Sequence, residues 1–231
     1  MNLPDEPTAN KKNNIMSCLY ENTASKRGMT NGRSVEQTDV IYYFEPRGGC
    51  IGKLFMRPMS DEEYDRRVQE RVNQINDMQR ALDKLGIDES MVQEVKPLML
   101  EGYNFEGDVY SKRGKDLKWR SSSYQITWVF CSENQLYFYS YTFNMDDDAK
   151  KEVAEEYFYK DITNINHSTE TVQKVTQWDI KGNPLSRDSV EYNSFIISAM
   201  GDKRYCAMTA NEVTERAIQG LKAKLREKKN A

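Results

Sequence analysis

The 231-residue chain is short of the groups that most often carry chemistry. It has one histidine, His167, so a site built from several imidazoles is excluded. Its four cysteines, Cys18, Cys50, Cys131 and Cys206, lie far apart and form no CxxC or CxxH unit. They read as single thiols of a reducing compartment rather than a disulfide framework or a zinc site. Charge of one sign is also lacking: 33 basic against 36 acidic residues leave a net −3, which argues against a general nucleic-acid binder. The longest apolar run, Val40 to Phe44, is far too short to cross a bilayer. The first twenty residues carry Asp5, Glu6, Lys11 and Lys12 and no apolar signal core. Together these features place the chain in the cytoplasm, with no cofactor or metal expected.

Tyrosine is plentiful, with 14 residues, and the aromatic residues as a group crowd into the second half. Such segments suit half-buried strands, where the ring packs and the hydroxyl stays wet. Three segments are expected. Residues 1–38 are Asn-, Lys-, Ser- and Thr-rich and read as a flexible arm. Residues 39–95 begin with two apolar runs, Asp39 to Phe44 and Ile51 to Met56, flanking Glu45-Pro-Arg-Gly-Gly49; this predicts a β-hairpin. Ser60-Asp-Glu-Glu63 then reads as a capping box. Tyr64, Val68, Val72, Ile75, Met78, Leu82 and Leu85 follow at helical spacing, predicting one long amphipathic helix of about 27 residues, roughly 40 Å. Gly86 is placed to end it. The stripe is read as core, with pairing to another chain as the alternative. Asp88 to Val95 adds a short helical piece before Pro97.

Residues 96–231 change to strand patterning. Ser123–Cys131 and Gln135–Phe143 are two strands joined at Glu133-Asn134. Val153–Tyr159, Thr171–Ile180, Val190–Met200 and Arg204–Met208 follow, with Gly201-Asp202 as a hairpin turn. Thr209-Ala-Asn-Glu212 is a second capping box, opening a helix with Val213, Ala217, Leu221 and Leu225 on its apolar face. Lys222, Lys224, Arg226, Lys228 and Lys229 sit where the helix dipole favours cations. The fold class is α+β: a curved antiparallel sheet or partly open barrel capped by a C-terminal helix, preceded by a hairpin and a long helix.

Six or seven antiparallel strands and one closing helix, over about residues 96–229, resemble the order of pleckstrin-homology-like and GRAM-like domains. Two segments are similar to bacterial members of that group: Trp128-Val-Phe-Cys-Ser-Glu-Asn-Gln-Leu-Tyr-Phe-Tyr139, a strand, turn and strand, and the step Tyr159-Lys-Asp-Ile-Thr163. The acidic connection from Asn144 to Lys151 and the extension before residue 96 depart from a minimal domain of this type. The resemblance implies a non-catalytic module that binds a protein segment, a lipid headgroup or its own copies. Fold alone does not choose among these.

The densest charge feature is Lys112, Arg113, Lys115, Lys118 and Arg120, with Trp119 among them and Asp116 as the only anion. In lipid-binding relatives a loop near this place gathers phosphate-binding cations, and convergent Lys and Arg hold phosphates by charge and paired hydrogen bonds. Against that, strand alternation can put Trp119 in the core and leave Lys118 and Arg120 solvated. Asp146, Asp147 and Asp148 are consecutive, lack the alternate spacing of a calcium loop, and read as a solvated turn beside Lys150 and Lys151. His167 has no nucleophile motif beside it and reads as structural. Glu94-Val-Lys96 with Asp83 or Asp88 lacks the strand context of a metal nuclease. Gly48-Gly49 lacks the lysine and hydroxyl of a phosphate loop. An intracellular interaction or scaffolding module, bound to a protein partner or to itself, is therefore expected, with anionic lipid as the second reading. An enzyme with an unfamiliar site, built on Asp161, His167 or the aspartate run, is the third.

Overall fold

The computed structural model describes residues 32–45, 59–92, 95–178 and 184–230. The arm through residue 31, the run Ile51 to Met56, Gly48-Gly49, Glu94, Cys18 and Cys50 lie outside the described residues.

Sheet A is the middle layer. Its strands are β1 (Leu98–Asn104), β4 (Ser123–Cys131), β5 (Gln135–Asn144) and β6 (Lys150–Phe158), all antiparallel in the order β1-β4-β5-β6. A small hairpin of β2 (Ser111–Arg113) and β3 (Trp119–Ser121), sheet B, is inserted between β1 and β4. A 3₁₀ turn, Tyr159–Asp161, leads into sheet C, a three-stranded meander of β7 (Ile162–Trp178), β8 (Pro184–Ala199) and β9 (Asp202–Met208). None of the sheets closes into a barrel.

The alternation along β5 explains the layering. Tyr137, Tyr139 and Tyr141 face one way and join a core with Val40, Tyr43, Tyr64, Val68, Val72 and Leu82 of the N-terminal helices. Leu136 and Phe138 face the other way, into a second core with Phe195, Ile197, Cys206 and Met208 of sheet C and Ile218, Leu221 and Leu225 of the last helix. Sheet A is thus covered on both faces, so β4 and β5 are nearly continuously buried. The tyrosines are more deeply buried than a half-solvated strand would leave them, at 3–6% exposure. Their hydroxyls still find partners at the rim, Tyr137 on Gln135 and Tyr139 on Glu152. Each fully buried large apolar side chain contributes roughly 1.5–3 kcal/mol of transfer free energy.

The region before residue 96 departs from the sequence reading in two places. Asp39 to Phe44 is not a strand: it belongs to helix α1 (Val35–Phe44), opened by a reciprocal capping box between Ser34 and Gln37. The long helix is also two helices, α2 (Asp61–Ile75) and α3 (Met78–Leu85). The break falls at Asn76-Asp77, where two good cap formers compete with the helical ladder. Asp77 caps α3 through the Gln79 amide at 2.9 Å, while the Asn76 side chain accepts from Trp128 Nε1 at 3.0 Å. Gly86 ends α3 with a left-handed backbone, and Glu89–Val92 forms a single 3₁₀ turn.

Helix α4 (Glu212–Asn230) closes the second core with Ile218, Leu221 and Leu225. Val213 is 75% exposed and lies outside that face, and Ile218 takes its place. The cap is Asn211, whose Oδ1 accepts from the Val213 and Thr214 amides; Thr209 accepts a bond from Thr214 through its carbonyl and does not cap.

Candidate functional site

The basic segment 112–120 forms β2, a short loop and β3, and the structure does not gather its cations at one exposed point. Arg120 points inward, with its side chain only 4% exposed. Its Nε and Nη2 donate to the two oxygens of Asp65, both at 2.7 Å, while Nη1 and Nη2 donate to Asp116 at 2.9 and 3.0 Å. The planar guanidinium fork is filled by two carboxylates, a geometry that lysine could not reproduce. Lys112 Nζ donates to the Tyr43 carbonyl at 3.2 Å and sits 3.9 Å above the Tyr43 ring. Arg113 donates from Nε to the Leu117 carbonyl, and Trp119 is half-buried. Lys115 and Lys118 are exposed.

This cluster pins α1 and α2 to the β2–β3 hairpin. Asp61, at the start of α2, accepts from the Tyr43 hydroxyl at 2.8 Å and from the Lys115 amide at 2.7 Å. The Tyr103 hydroxyl donates to Asp65, and the Tyr64 hydroxyl to the Ser121 carbonyl, each at 2.7 Å. Burial pulls the Asp61 carboxyl upward, but hydrogen bonds from Lys115 and Tyr43 and the charges of Arg120 and Lys112 outweigh it and hold it below the ordinary carboxylate range. The hydrogen bonds from Arg120 hold Asp116 well below that range. Burial lowers Lys112, with help from the Arg120 and Lys115 charges against the pull of Asp61. The Arg120, Asp61, Asp65 and Asp116 charges all have partners inside the cluster, so the evident work of these groups is docking.

A polar groove of about 450 Å³ lies between α1, α2 and the β5–β6 turn, lined by Gln37, Arg67, Arg71, Asp147 and Asp148 among others. Several of its charged and polar groups are matched locally. Arg66 pairs with Glu63 and Glu70, Arg67 with Glu63 and Asp39, and Gln37 bonds Asp148 at 2.7 Å. The aspartate run is split: Asp146 is buried, and burial raises its carboxyl, whereas Asp147 turns back to the Ala149 amide. His167 is exposed on β7. Among the described residues no three of His, Cys, Asp and Glu come together as a cation site. Cys131 and Cys206 are buried in the interior, and burial pushes the Cys206 thiol up.

What the sequence did not announce is a pair of open strand edges. β6 is the last strand of sheet A and β7 the first of sheet C, and neither has an outer neighbour among the described residues. Their compositions differ sharply. β6 carries Lys150, Lys151, Glu152, Glu155 and Glu156 within nine residues. β7 has only Glu170 and Lys174 along seventeen. Glu170 accepts from Tyr192 and Ser194, and Lys174 reaches the Gly107 carbonyl, so both of these charges are occupied inward.

The hydrogen-bonding phase of β7 follows from the turn beyond β8. Met200 and Gly201 both have positive φ, the geometry of a two-residue hairpin turn that closes on the Ala199–Asp202 pair. Antiparallel alternation then directs Ser194, Tyr192 and Val190 of β8 toward β7. Their partners Ser168, Glu170 and Val172 face β8, which leaves the amides of His167, Thr169, Thr171 and Gln173 directed outward.

No helix among the described residues is long and apolar enough to cross a membrane. No protein-family model, curated protein or solved structure matches the chain.

Proposed function

We propose that the chain is a non-catalytic interaction module, pleckstrin-homology-like over residues 96–229, that takes an extended segment of a protein partner as an added strand along β7. The order of a four-stranded meander, a three-stranded meander and a closing helix supports that kinship. One observation carries the function: an open edge that pairs regularly from Asn164 to Val175, with bulges only toward its two ends, and on which charge is scarce and turned inward. Sheet proteins ordinarily guard a long edge with lysine, proline, a bulge or a covering loop, because a bare edge is a template for another strand. Strand addition draws its affinity from the backbone and its selectivity from alternate side chains, here Thr169, Thr171 and Gln173. The buried thiols Cys131 and Cys206 fit a reducing, cytoplasmic setting.

Binding of an anionic headgroup through Lys112, Arg113, Lys115, Lys118, Trp119 and Arg120 lacks comparable support. Arg120 and Lys112 engage the protein's own carboxylates, carbonyl and ring.

Thr171→Pro tests the reading, because it removes one outward donor, and Thr171 is exposed. Wild type and variant, matched for melting temperature, are used to capture proteins from cells of origin. A partner held by the wild type and lost from Thr171→Pro is expected. An identical captured set from both, or turnover of a nucleotide, ester or peptide by the pure chain, overturns the proposal.

A further inference from the structure

The second open edge, β6, bears a charge pattern that a copy of itself can read. We propose that two copies of the chain join through antiparallel pairing of β6 with β6 about a two-fold axis at Val153, fusing their A sheets into one. This goes beyond the β7 reading and uses a different edge.

The phase of β6 is set by its hairpin. The Asn144 amide donates to the Ala149 carbonyl, so alternation turns the backbone groups of Lys151, Val153 and Glu155 toward β5 and those of Lys150, Glu152, Ala154 and Glu156 outward. With the axis at Val153, Lys150 faces Glu156 of the second copy and Glu152 faces Ala154, each pair exchanging both backbone bonds. Lys151 faces Glu155 on the opposite face of the sheet. Symmetry repeats each pair, so every lysine of the strand meets a glutamate. Opposite charges placed directly across an antiparallel pair contribute roughly 0.2–1 kcal/mol each, and like charges oppose pairing.

The register is selective. An axis perpendicular to the sheet keeps side chains on their own faces, so the next permitted positions are Glu152 and Ala154. The first sets Glu152 against its own copy, and the second sets Glu152 against Glu156 twice. Parallel pairing would place lysine beside lysine and glutamate beside glutamate. A charged edge usually repels other strands; this one repels all of these arrangements except the self-complementary one, as an isologous interface requires.

Other demands fall unevenly on these residues. Lys150 and Glu156 are exposed and make no ion pair among the described residues, whereas Glu152 is engaged by Arg80 and Lys84 and Glu155 by Arg204. Lys150 and Glu156 are therefore the positions to exchange without disturbing the fold.

Sedimentation velocity of the full chain across a concentration series tests the contact. The wild type is expected to dimerise, and Lys150→Glu and Glu156→Lys are each expected to weaken the dimer by about tenfold or more, since each makes both terminal pairs repulsive. An equimolar mixture of the two variants restores every opposite pair and is expected to dimerise again, as is the double variant K150E/E156K. Ala154→Pro removes an outward amide with no charge change and is expected to weaken the dimer as well. A wild type that stays monomeric at its solubility limit overturns the proposal and leaves the β7 reading standing. So does a dimer indifferent to both single exchanges, or one that mixing fails to restore.

Discussion

Arg120 is the residue on which the N-terminal half leans most heavily. It follows Trp119 on a three-residue strand, and its guanidinium is locked between Asp65 from α2 and Asp116 from its own loop. Removing it takes the guanidinium from two carboxylates and leaves Asp65 with the Tyr103 hydroxyl as its remaining donor among the described residues. Breaking one side of a buried pair typically costs 3–5 kcal/mol; because Asp65 and Asp116 are partly exposed, the lower end applies. Arg120→Ala is therefore expected to destabilise the protein by about 3 kcal/mol in urea unfolding, and Arg120→Lys to recover little of it. Glu101 presents the opposite case. It faces the helical side of β1 with one carboxylate oxygen buried and unpartnered, and burial raises its carboxyl above the ordinary value of 4.5. A carboxyl raised by folding disfavours the native state once ionised. That cost is full above the folded value and disappears as pH falls to the unfolded one. Glu101→Gln should then stabilise the protein at pH 7, on the order of 1 kcal/mol, with the gain fading toward pH 4. Asp61 and Asp116 run the other way: their stabilising contribution holds at neutral pH and is lost only as pH falls below the usual carboxylate range through their depressed values. Thermal melts of wild type and Glu101→Gln between pH 4 and 7 separate the two effects.

Among the elements, the crossing of β1 and β9 ties sheet A to sheet C. Gly102 makes it feasible: a Cβ there would lie 2.9–3.1 Å from the Met208 backbone. Just beyond, the Thr209 amide donates to the Glu101 carbonyl at 2.8 Å. Gly102→Ala must push the two strands apart and is expected to cost about 1–3 kcal/mol, read as a lowered urea midpoint. A loss of unfolding free energy below about 0.5 kcal/mol would mean that the sheets do not meet as closely as described. The strands and closing helix were legible because alternation is a local property of Ser123–Cys131, Gln135–Phe143 and Val190–Met200. The N-terminal helices were less so. Val40 to Phe44 is β-branched and aromatic, and propensity favoured a strand; tertiary burial against Tyr64 and Tyr110 made it helix. The Ser34–Gln37 capping box was in the sequence and was the signal that could have found α1. The break at Asn76-Asp77 was hidden because Val72, Ile75, Met78 and Leu82 keep helical spacing across it. The inward turn of Arg120 depends on Asp65, fifty-five residues away, and no local pattern shows that pairing.

For the whole molecule, a middle sheet is covered by helices on one face and by a second sheet and helix on the other, which places both cores inside and, among the described residues, leaves the β6 and β7 edges outside. Both proposed contacts are backbone contacts, of β7 with a partner segment and of β6 with a second copy. Open edges of this kind have no sequence motif, since they depend on which strands end up last in each sheet. Amide hydrogen exchange of the purified chain, resolved residue by residue along β7, tests the central claim most directly. The account predicts slow exchange at Glu170 and Val172, whose amides face β8, alternating with fast exchange at Thr169, Thr171 and Gln173, whose amides face outward. Uniform protection through all five would show that the edge is already covered, and would contradict the account.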